Sequence, residues 1–331
     1  MAHGITAQDG MFSVREKAWH GLGVVLPEYP TRAEAQQLAH PWEPVTTPLF
    51  TEEYMVDEQA GPMTDFKEVP GYVAVQRSDT SSTLGVVSDT YQPVSNTEMW
   101  DIAEALEGES KGDVMYETAG SLKGGSKVWI LVRLKEPLRL KGDDKTATIP
   151  YYALQNSHDG LGSFRGQALV TRIVCQNTAQ LADLESKQRG TSFTFRHTRN
   201  VGDRIEEARN ALAGWRDSVE EYRMLSEHLV TERISIDQAG EFVERFIPEP
   251  PPATATDRVR RNAAEARGQW RGIYMGEANE RLLGTRWGLV QASVEYLQHA
   301  RRANTEESRF QRTLLTQNQL VQDAMRIAQA V

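Results

Sequence analysis

The 331-residue sequence contains a single cysteine, Cys175, and no long apolar run. One thiol excludes an intramolecular disulfide framework and is typical of proteins in a reducing cytosol. No run approaches the roughly 20 apolar residues of a membrane-spanning helix, and the N-terminus lacks the basic and apolar regions of a signal peptide. We therefore expect a protein of the cytoplasm with no membrane contact.

The sequence also lacks the motifs of common cofactor and metal sites. It has no phosphate-binding glycine loop and no dinucleotide-binding glycine fingerprint. Its seven histidines are scattered along the chain, whereas a metal site needs several ligands at short spacing. We predict no cofactor and no metal, and a buried, inert thiol for Cys175 in the apolar string ALVTRIVCQNT.

A Ser-His-Asp run, residues 157–159, invites a comparison with catalytic triads. A triad needs a histidine that is hydrogen-bonded to both partners, and three consecutive residues rarely achieve that geometry. Asn156, Ser157, Asp159 and Gly160 are also residue types that turns favour. We predict a turn here. Of three functional hypotheses, an enzyme with a site around Asp89, His158 and Asp159 is the least favoured. The sequence therefore favours a protein without enzymatic activity.

Charge is distributed unevenly along the chain. The net charge of −9 divides into −14 for residues 1–120, +7 for residues 121–200 and −2 for residues 201–331. A basic segment of this kind points to an anionic partner, although it could instead pair with the acidic N-terminal third.

Aromatic residues are interleaved with the cations of the basic segment. Proteins that bind single strands combine cations, which follow the phosphates, with flat rings, which stack on bases. Cations on one face of a strand are also what any solvated strand carries, and some of the rings must belong to the core. The candidate nucleic-acid-binding residues are Lys123, Lys127, Arg133, Arg165, Arg172, Lys187, Arg189, Arg196 and Arg199, with Phe164, Trp129 and Phe193 as stacking rings.

The order of the predicted elements indicates an α+β fold, with antiparallel sheets and packed helices followed by a mainly helical C-terminal part. Strand-like segments come in runs instead of alternating with helices, which disfavours a doubly wound sheet. We divide the chain into a mixed strand and helix domain, 1–200, and a helical region, 201–331, with a proline-rich loop near 248–254.

Local signals fix several of these elements. Thr31 with Glu34, and Ser95 with Glu98, have the spacing of capping boxes that begin helices. The pair Gly124-Gly125 in SLKGGSKVW predicts a hairpin turn. The string NTAQLADLESKQ, from residue 177, predicts a further helix.

Four strings occur in a fixed order: AWHGLG, LGVVSDTYQPVSNTE, NSHDGLGSFR running into TRIVCQNT, and TRWGLVQASVEYLQH. Together they resemble the phage/plasmid-like protein family, which is known as a domain of unknown function. The resemblance implies a gene of a phage, prophage or plasmid, and hence a protein that acts in the cytoplasm of a bacterial host cell. In outline the strand-strand-strand-helix order is also similar to the phage single-strand-annealing recombinases of the Sak type, which assemble into rings around a basic groove.

These observations favour a phage-type protein that binds and anneals single-stranded DNA without enzymatic chemistry. It is expected to act as a homo-oligomer, of which a closed ring is one form. The alternative is a protein-interaction module of a phage, an inhibitor of a host factor or a DNA mimic. In that alternative the acidic N-terminal third faces a basic partner protein through Glu52, Glu53, Asp57 and Glu58.

Overall fold

A computed structural model describes twelve parts of the chain: 9–15, 23–57, 61–109, 114–172, 177–180, 192–197, 206, 208, 210, 214–251, 253–301 and 319–331. The fold is α+β, as predicted, with two sheets and with helices that dominate the C-terminal part.

The larger sheet contains nine strands: β1 (Met11–Val14), β2 (Val24–Leu26), β6 (Val114–Leu122), β7 (Lys127–Leu134), β8 (Leu138–Leu140), β9 (Asp143–Ser157), β10 (Phe164–Arg172), β11 (Asn177–Gln180) and β12 (Ser192–Phe195). Their order across the sheet is β11-β10-β9-β7-β6-β1-β2, with β12 on β10 and β8 on β9. Every pairing is antiparallel except that of β1 with β2.

The smaller sheet has three antiparallel strands: β3 (Pro44–Asp57), β4 (Gly61–Arg77) and β5 (Thr83–Ser88). Strand β5 pairs only with residues 72–76 of β4, so the outer halves of β3 and β4 continue as a two-stranded ribbon. The register shifts between Pro48 and Phe50, where one residue of β3 lies opposite residues 69–72 of β4.

Seven α-helices are described: α1 (Arg32–Ala39), α2 (Asn96–Glu109), α3 (Trp215–Thr231), α4 (Ile236–Phe246), α5 (Asp257–Tyr274), α6 (Arg286–Glu295) and α7 (Gln319–Ala330). The two predicted capping boxes are present, because Thr31 and Glu34 exchange hydrogen bonds before α1, and Ser95 and Glu98 do so before α2. Such reciprocal bonds satisfy backbone donors that a helix start leaves open.

One continuous core joins the sheets to the helices. Its fully buried rings include Trp100 of α2, Trp215 of α3, Trp270 of α5 and Trp287 of α6. Helix α6 is buried along most of its length, so it forms the centre of the helical part. Since residues from Phe12 to Val331 share this cluster, the strands and the C-terminal helices pack as one body.

The hairpin between β6 and β7 forms as predicted. Gly124 and Gly125 have φ angles of 69° and 103°, in the left-handed region that glycine tolerates. A Cβ on Gly125 would lie 2.6 Å from the Trp42 ring, so the turn also needs glycine for its close packing on that ring.

The helix predicted from residue 177 is wrong at its start. Residues Asn177–Gln180 form β11, which pairs with residues 169–172 of β10. Here hydrogen bonding to a neighbouring strand overrides the local helix preference. The rest of that string, and Cys175, lie outside the described residues.

Candidate nucleic-acid interface

A row of polar side chains crosses three neighbouring strands of the larger sheet. Lys127 on β7 lies opposite Ser157 on β9, while Trp129 on β7 lies opposite Gln155, which in turn lies opposite Arg165 on β10. Residues directly opposite each other point to the same face of a sheet. These five side chains therefore line one cleft, with a volume of about 140 Å³.

The chemistry of this cleft suits an anion. The Lys127 ammonium and the Arg165 guanidinium are half-buried, and the Gln155 amide adds a further donor. Ser157 is already engaged, because its Oγ donates to Asp159 Oδ1 over 2.6 Å. Two cations with a neutral donor between them form a set that binds phosphate oxygens.

Two more of the predicted cations are exposed outside the cleft. Lys123 lies on the hairpin turn four residues before Lys127, and Arg196 follows β12, whose Thr194 pairs with Arg165. They extend the positive charge beyond the cleft.

Arg133 lies elsewhere and already has partners. It is on β7, six residues from Lys127, which places it about 20 Å along the strand. Its guanidinium is 3.7 Å from the Glu117 carboxylate and donates to the Tyr29 hydroxyl over 3.1 Å. Burial is the main reason why the pKa of Glu117 is raised, and the Arg133 charge opposes that rise. This pair links β6 and β7 to the segment before α1.

The three predicted stacking rings are buried. Phe164 and Phe193 are 0% and 6% exposed and pack on each other with 5.2 Å between ring centroids. Trp129 is 3% exposed and contributes an edge of the cleft. None of the three presents a free face to a base in this conformation.

The other predicted site residues lie at the end of β10 or outside the described residues. Arg172 ends β10, seven residues beyond Arg165, where its backbone lies between Thr148 and Asn177. Lys187, Arg189 and Arg199 lie outside the described residues.

The acidic candidates lie on the two-stranded ribbon of β3 and β4. Glu52 and Glu53 are exposed there, and Asp57 is the last residue of β3. Glu58 lies outside the described residues.

The Ser157-His158-Asp159 run forms a turn, as predicted. Asp159 Oδ1 accepts hydrogen bonds from Ser157 Oγ and from the backbone N–H of Leu161, and Gly160 follows with a φ of 75°. The His158 ring bonds instead to Asn96, 62 residues away. Asp159 therefore bonds to Ser157 directly, and the three side chains do not form a triad.

A cluster of buried histidines, which sequence reasoning missed, lies behind this turn. His40, His158 and His197 are 1%, 0% and 5% exposed. They come from distant parts of the chain, so their spacing carries no signal. One signal in the sequence could have indicated the cluster: Asn96 and His158 both lie in strings that carry the family resemblance.

Those two strings bond to each other. The Asn156 amide donates to the carbonyl of Val94 over 2.9 Å, and the Tyr91 hydroxyl donates to the carbonyl of Ser157 over 3.1 Å. Asn96 Nδ2 also donates to the carbonyl of Trp42 over 2.7 Å. The landmark residues thus join the smaller sheet and α2 to the larger sheet, which is a structural role.

Hydrogen bonding identifies the ring nitrogen that carries the proton in His158 and the ring nitrogens that accept in His40 and His197. Asn96 Oδ1 must accept from His158 Nε2, because the amide nitrogen of Asn96 is used on Trp42. Trp100 Nε1 donates to His40 Nδ1, and the Val94 N–H donates to His197 Nδ1, so neither Nδ1 can carry a proton.

Burial is the largest cause of the low pKa values in this cluster. It lowers the pKa of His40 and of His197 to about 4, and that of His158 to about 3. Repulsion from His197 and His40 lowers the pKa of His158 further. All three imidazoles are therefore neutral near pH 7.

The described ranges contain neither a metal-binding cluster nor a membrane-spanning helix. No three His, Cys, Asp or Glu side chains of the described ranges gather so that they could hold a metal ion. Within the same ranges, every helix is too short or too polar to cross a membrane.

Comparison with known proteins places most of the chain in a protein family. A family model, described as Domain of unknown function (DUF932), matches residues 83–320. No curated protein and no solved structure matches the chain significantly. The matched range contains the whole cleft and, of the histidine cluster, His158 and His197.

Proposed function

The chain belongs to the DUF932 family, and we propose that it binds single-stranded DNA at the Lys127–Arg165 cleft, as a phage-type, non-enzymatic strand-annealing protein that acts as an oligomer. The observation that carries the proposal is the convergence of two cations and an amide donor on one cleft, with exposed Lys123 and Arg196 beyond it.

The burial of the three predicted stacking rings limits how the protein could bind DNA. Since Phe164, Phe193 and Trp129 are packed in the interior, affinity comes from phosphate contacts instead of base stacking. Phosphate contacts carry no sequence information directly, and each of them releases counterions. Binding should therefore be insensitive to sequence and steeply dependent on salt.

The annealing role and the phage context rest on the order of elements and on the four landmark strings. Strands β3, β4 and β5 followed by α2 have the strand-strand-strand-helix order of the Sak-type recombinases. The cleft belongs to the other sheet, so in this proposal the DNA path follows β7, β9 and β10.

We predict that Lys127→Ala combined with Arg165→Ala weakens single-strand binding and reduces its salt dependence. For single strands the slope of log K against log salt is about −0.7 per neutralised phosphate, so loss of two contacts should reduce its magnitude by about 1.4. Fluorescence anisotropy with a labelled strand of about 40 nucleotides, between about 50 and 200 mM salt, measures this slope.

Arg258→Ala combined with Arg261→Ala is the matched control. Both arginines are exposed on α5, far along the chain from the cleft, and their removal takes the same charge from the protein. This control should bind as the wild type does. Absence of binding by the wild type at the lower salt, or equal weakening by both double variants, would refute the proposed cleft.

The exposed acidic ribbon favours a second candidate function, in which the protein binds a basic partner. The exposure of Glu52 and Glu53 is the specific observation behind it. A DNA mimic of this kind should displace DNA from a basic DNA-binding protein, and Glu52→Gln with Glu53→Gln should reduce that displacement.

A further inference from the structure

The outer part of the β3–β4 hairpin is a two-stranded ribbon, residues 50–57 and 61–68, here called the acidic ribbon. It carries five acidic residues and one lysine, a net charge of −4. No third strand of the described chain pairs with it, and all of its described side chains are exposed.

One face of the acidic ribbon alternates rings and carboxylates. Phe50 lies opposite Glu68, and Phe66 lies opposite Glu52, while Tyr54 continues the same face. The three rings are 53%, 64% and 71% exposed in the order Phe50, Phe66, Tyr54. The other face carries Thr51 opposite Lys67 and no ring among its described residues.

An exposed ribbon of this kind calls for a partner surface. Two-stranded hairpins are marginally stable alone in water, and grouped exposed rings mark interaction sites. Pairing of two acidic ribbons would bring like charges together, which is unfavourable. The partner surface should therefore be apolar and carry positive charge.

The same chain carries such a surface on its helices. A groove of about 490 Å³ lies between α4 and α5, here called the helical groove. The described residues that line it are mainly apolar, and Arg271 is the one charged side chain among them. Ile236 and Met275 at the groove are 91% and 73% exposed, so apolar surface is open to water there.

We propose that the acidic ribbon of one copy docks in the helical groove of a second copy. The rings of the ribbon would bury the open apolar surface around Ile236 and Met275, and the carboxylates Glu52 and Glu68 would meet Arg271. The two surfaces differ, so the contact is head-to-tail, and repetition of it produces a closed ring or an open filament. This inference goes beyond DNA binding, since it names the contact that would hold the oligomer together.

Two variants separate the two sides of this contact. Phe50→Ala with Phe66→Ala removes exposed rings from the ribbon, and it should leave folding intact because neither ring is packed in the core. Gly240→Trp fills the groove, because a Cβ on Gly240 meets no atom within 4 Å. Each variant keeps one intact surface, so each alone should lose assembly.

Matched controls test the same changes outside the contact. Thr51→Ala with Lys67→Ala alters the opposite face of the ribbon. Gly268→Trp makes the identical substitution on α5 at a site that is equally open but does not line the groove. Both controls should assemble as the wild type does.

Sedimentation velocity at about 50 µM chain, a concentration that populates a micromolar interface, is the test. The wild type and both controls should form species larger than dimers, and each of the two contact variants should sediment as the 37.2 kDa chain. A mixture of the two contact variants retains one working contact per pair, so it should stop at dimers of twice that mass.

Three results would overturn the proposal: a monomeric wild type, contact variants that assemble as the wild type does, or a mixture that stays monomeric. If the ribbon binds only a basic host protein, the wild type should be monomeric. The ribbon and the groove share no residue with the Lys127–Arg165 cleft, so failure to bind DNA and failure to assemble are separate outcomes.

Discussion

Acidification from about pH 6.5 to about pH 4 should unfold this protein, with the free energy of unfolding falling by up to about 4 kcal/mol per pH unit. The pKa values of His40, His158 and His197 drop from 6.5 to about 4, about 3 and about 4 on folding. Between pH 6.5 and these values the unfolded chain binds up to three more protons than the native chain, and each contributes about 1.4 kcal/mol per pH unit.

The direction of the effect follows from the neutral native imidazoles. Above pH 6.5 the three groups are neutral in both states, so their contribution to stability is fully present. As the pH falls toward the native pKa values, protonation favours the unfolded chain. Natural domains have about 5–15 kcal/mol of stability, so the loss should exceed what the fold can tolerate within a few pH units.

Urea denaturation followed by tryptophan fluorescence, at several pH values between 7 and 4, measures this slope. His158→Gln should reduce the slope by about one third, because one of three titrating groups is gone. His228→Gln, at an exposed position on α3, is the matched control for removal of an imidazole outside the cluster. A free energy of unfolding that stays constant from pH 6.5 to pH 4.5 would contradict the neutral buried cluster.

Asn96→Ala should lower the free energy of unfolding by about 2–6 kcal/mol, since two buried groups would lose their partners at about 1–3 kcal/mol each. Asn96 is fully buried, and its amide bonds to the carbonyl of Trp42 and to Nε2 of His158. Alanine can replace neither bond, and it leaves a small cavity as well. Urea denaturation at pH 7.5 measures the loss with the histidines neutral.

Thr97→Ala provides the neighbouring control. Thr97 is exposed, and its Oγ1 donates to a carboxylate oxygen of Glu43 over 2.5 Å. Loss of a hydrogen bond outside the core should cost about 1 kcal/mol. Equal losses for the two variants would mean that the Asn96 network adds nothing beyond an ordinary surface bond.

Short-range features of this fold could be predicted because their causes are local. The capping boxes at Thr31 and Ser95 need a partner three residues away, and the Gly124-Gly125 turn needs only its own backbone freedom. The helix predicted from residue 177 fails for the opposite reason. Its backbone forms hydrogen bonds to β10, and the sequence of the segment itself contains no pattern that predicts this pairing.

The candidate site also combines a local feature that the sequence predicts with a long-range feature that it does not. Alternation along β7 puts Lys127, Trp129 and Arg133 on one face, and that much follows from the period of a strand. Which strands lie beside β7 depends on the topology, and this decides that Arg165 joins the cleft while Arg133 pairs with Glu117. The histidine cluster could not be predicted, because its members meet only when both sheets and α2 are assembled.

In a head-to-tail assembly, the register shift beside Phe50 would affect how successive copies are oriented. One residue of β3 there spans four residues of β4, among them Gly71 with a φ of 79° and no atom within 4 Å of its Cβ position. This irregularity sets the angle at which the ribbon leaves its sheet, and hence the rotation between successive copies. In the proposed assembly this joint would set the number of copies in a closed ring, and a deletion among residues 69–72 would change the symmetry without touching either contact surface.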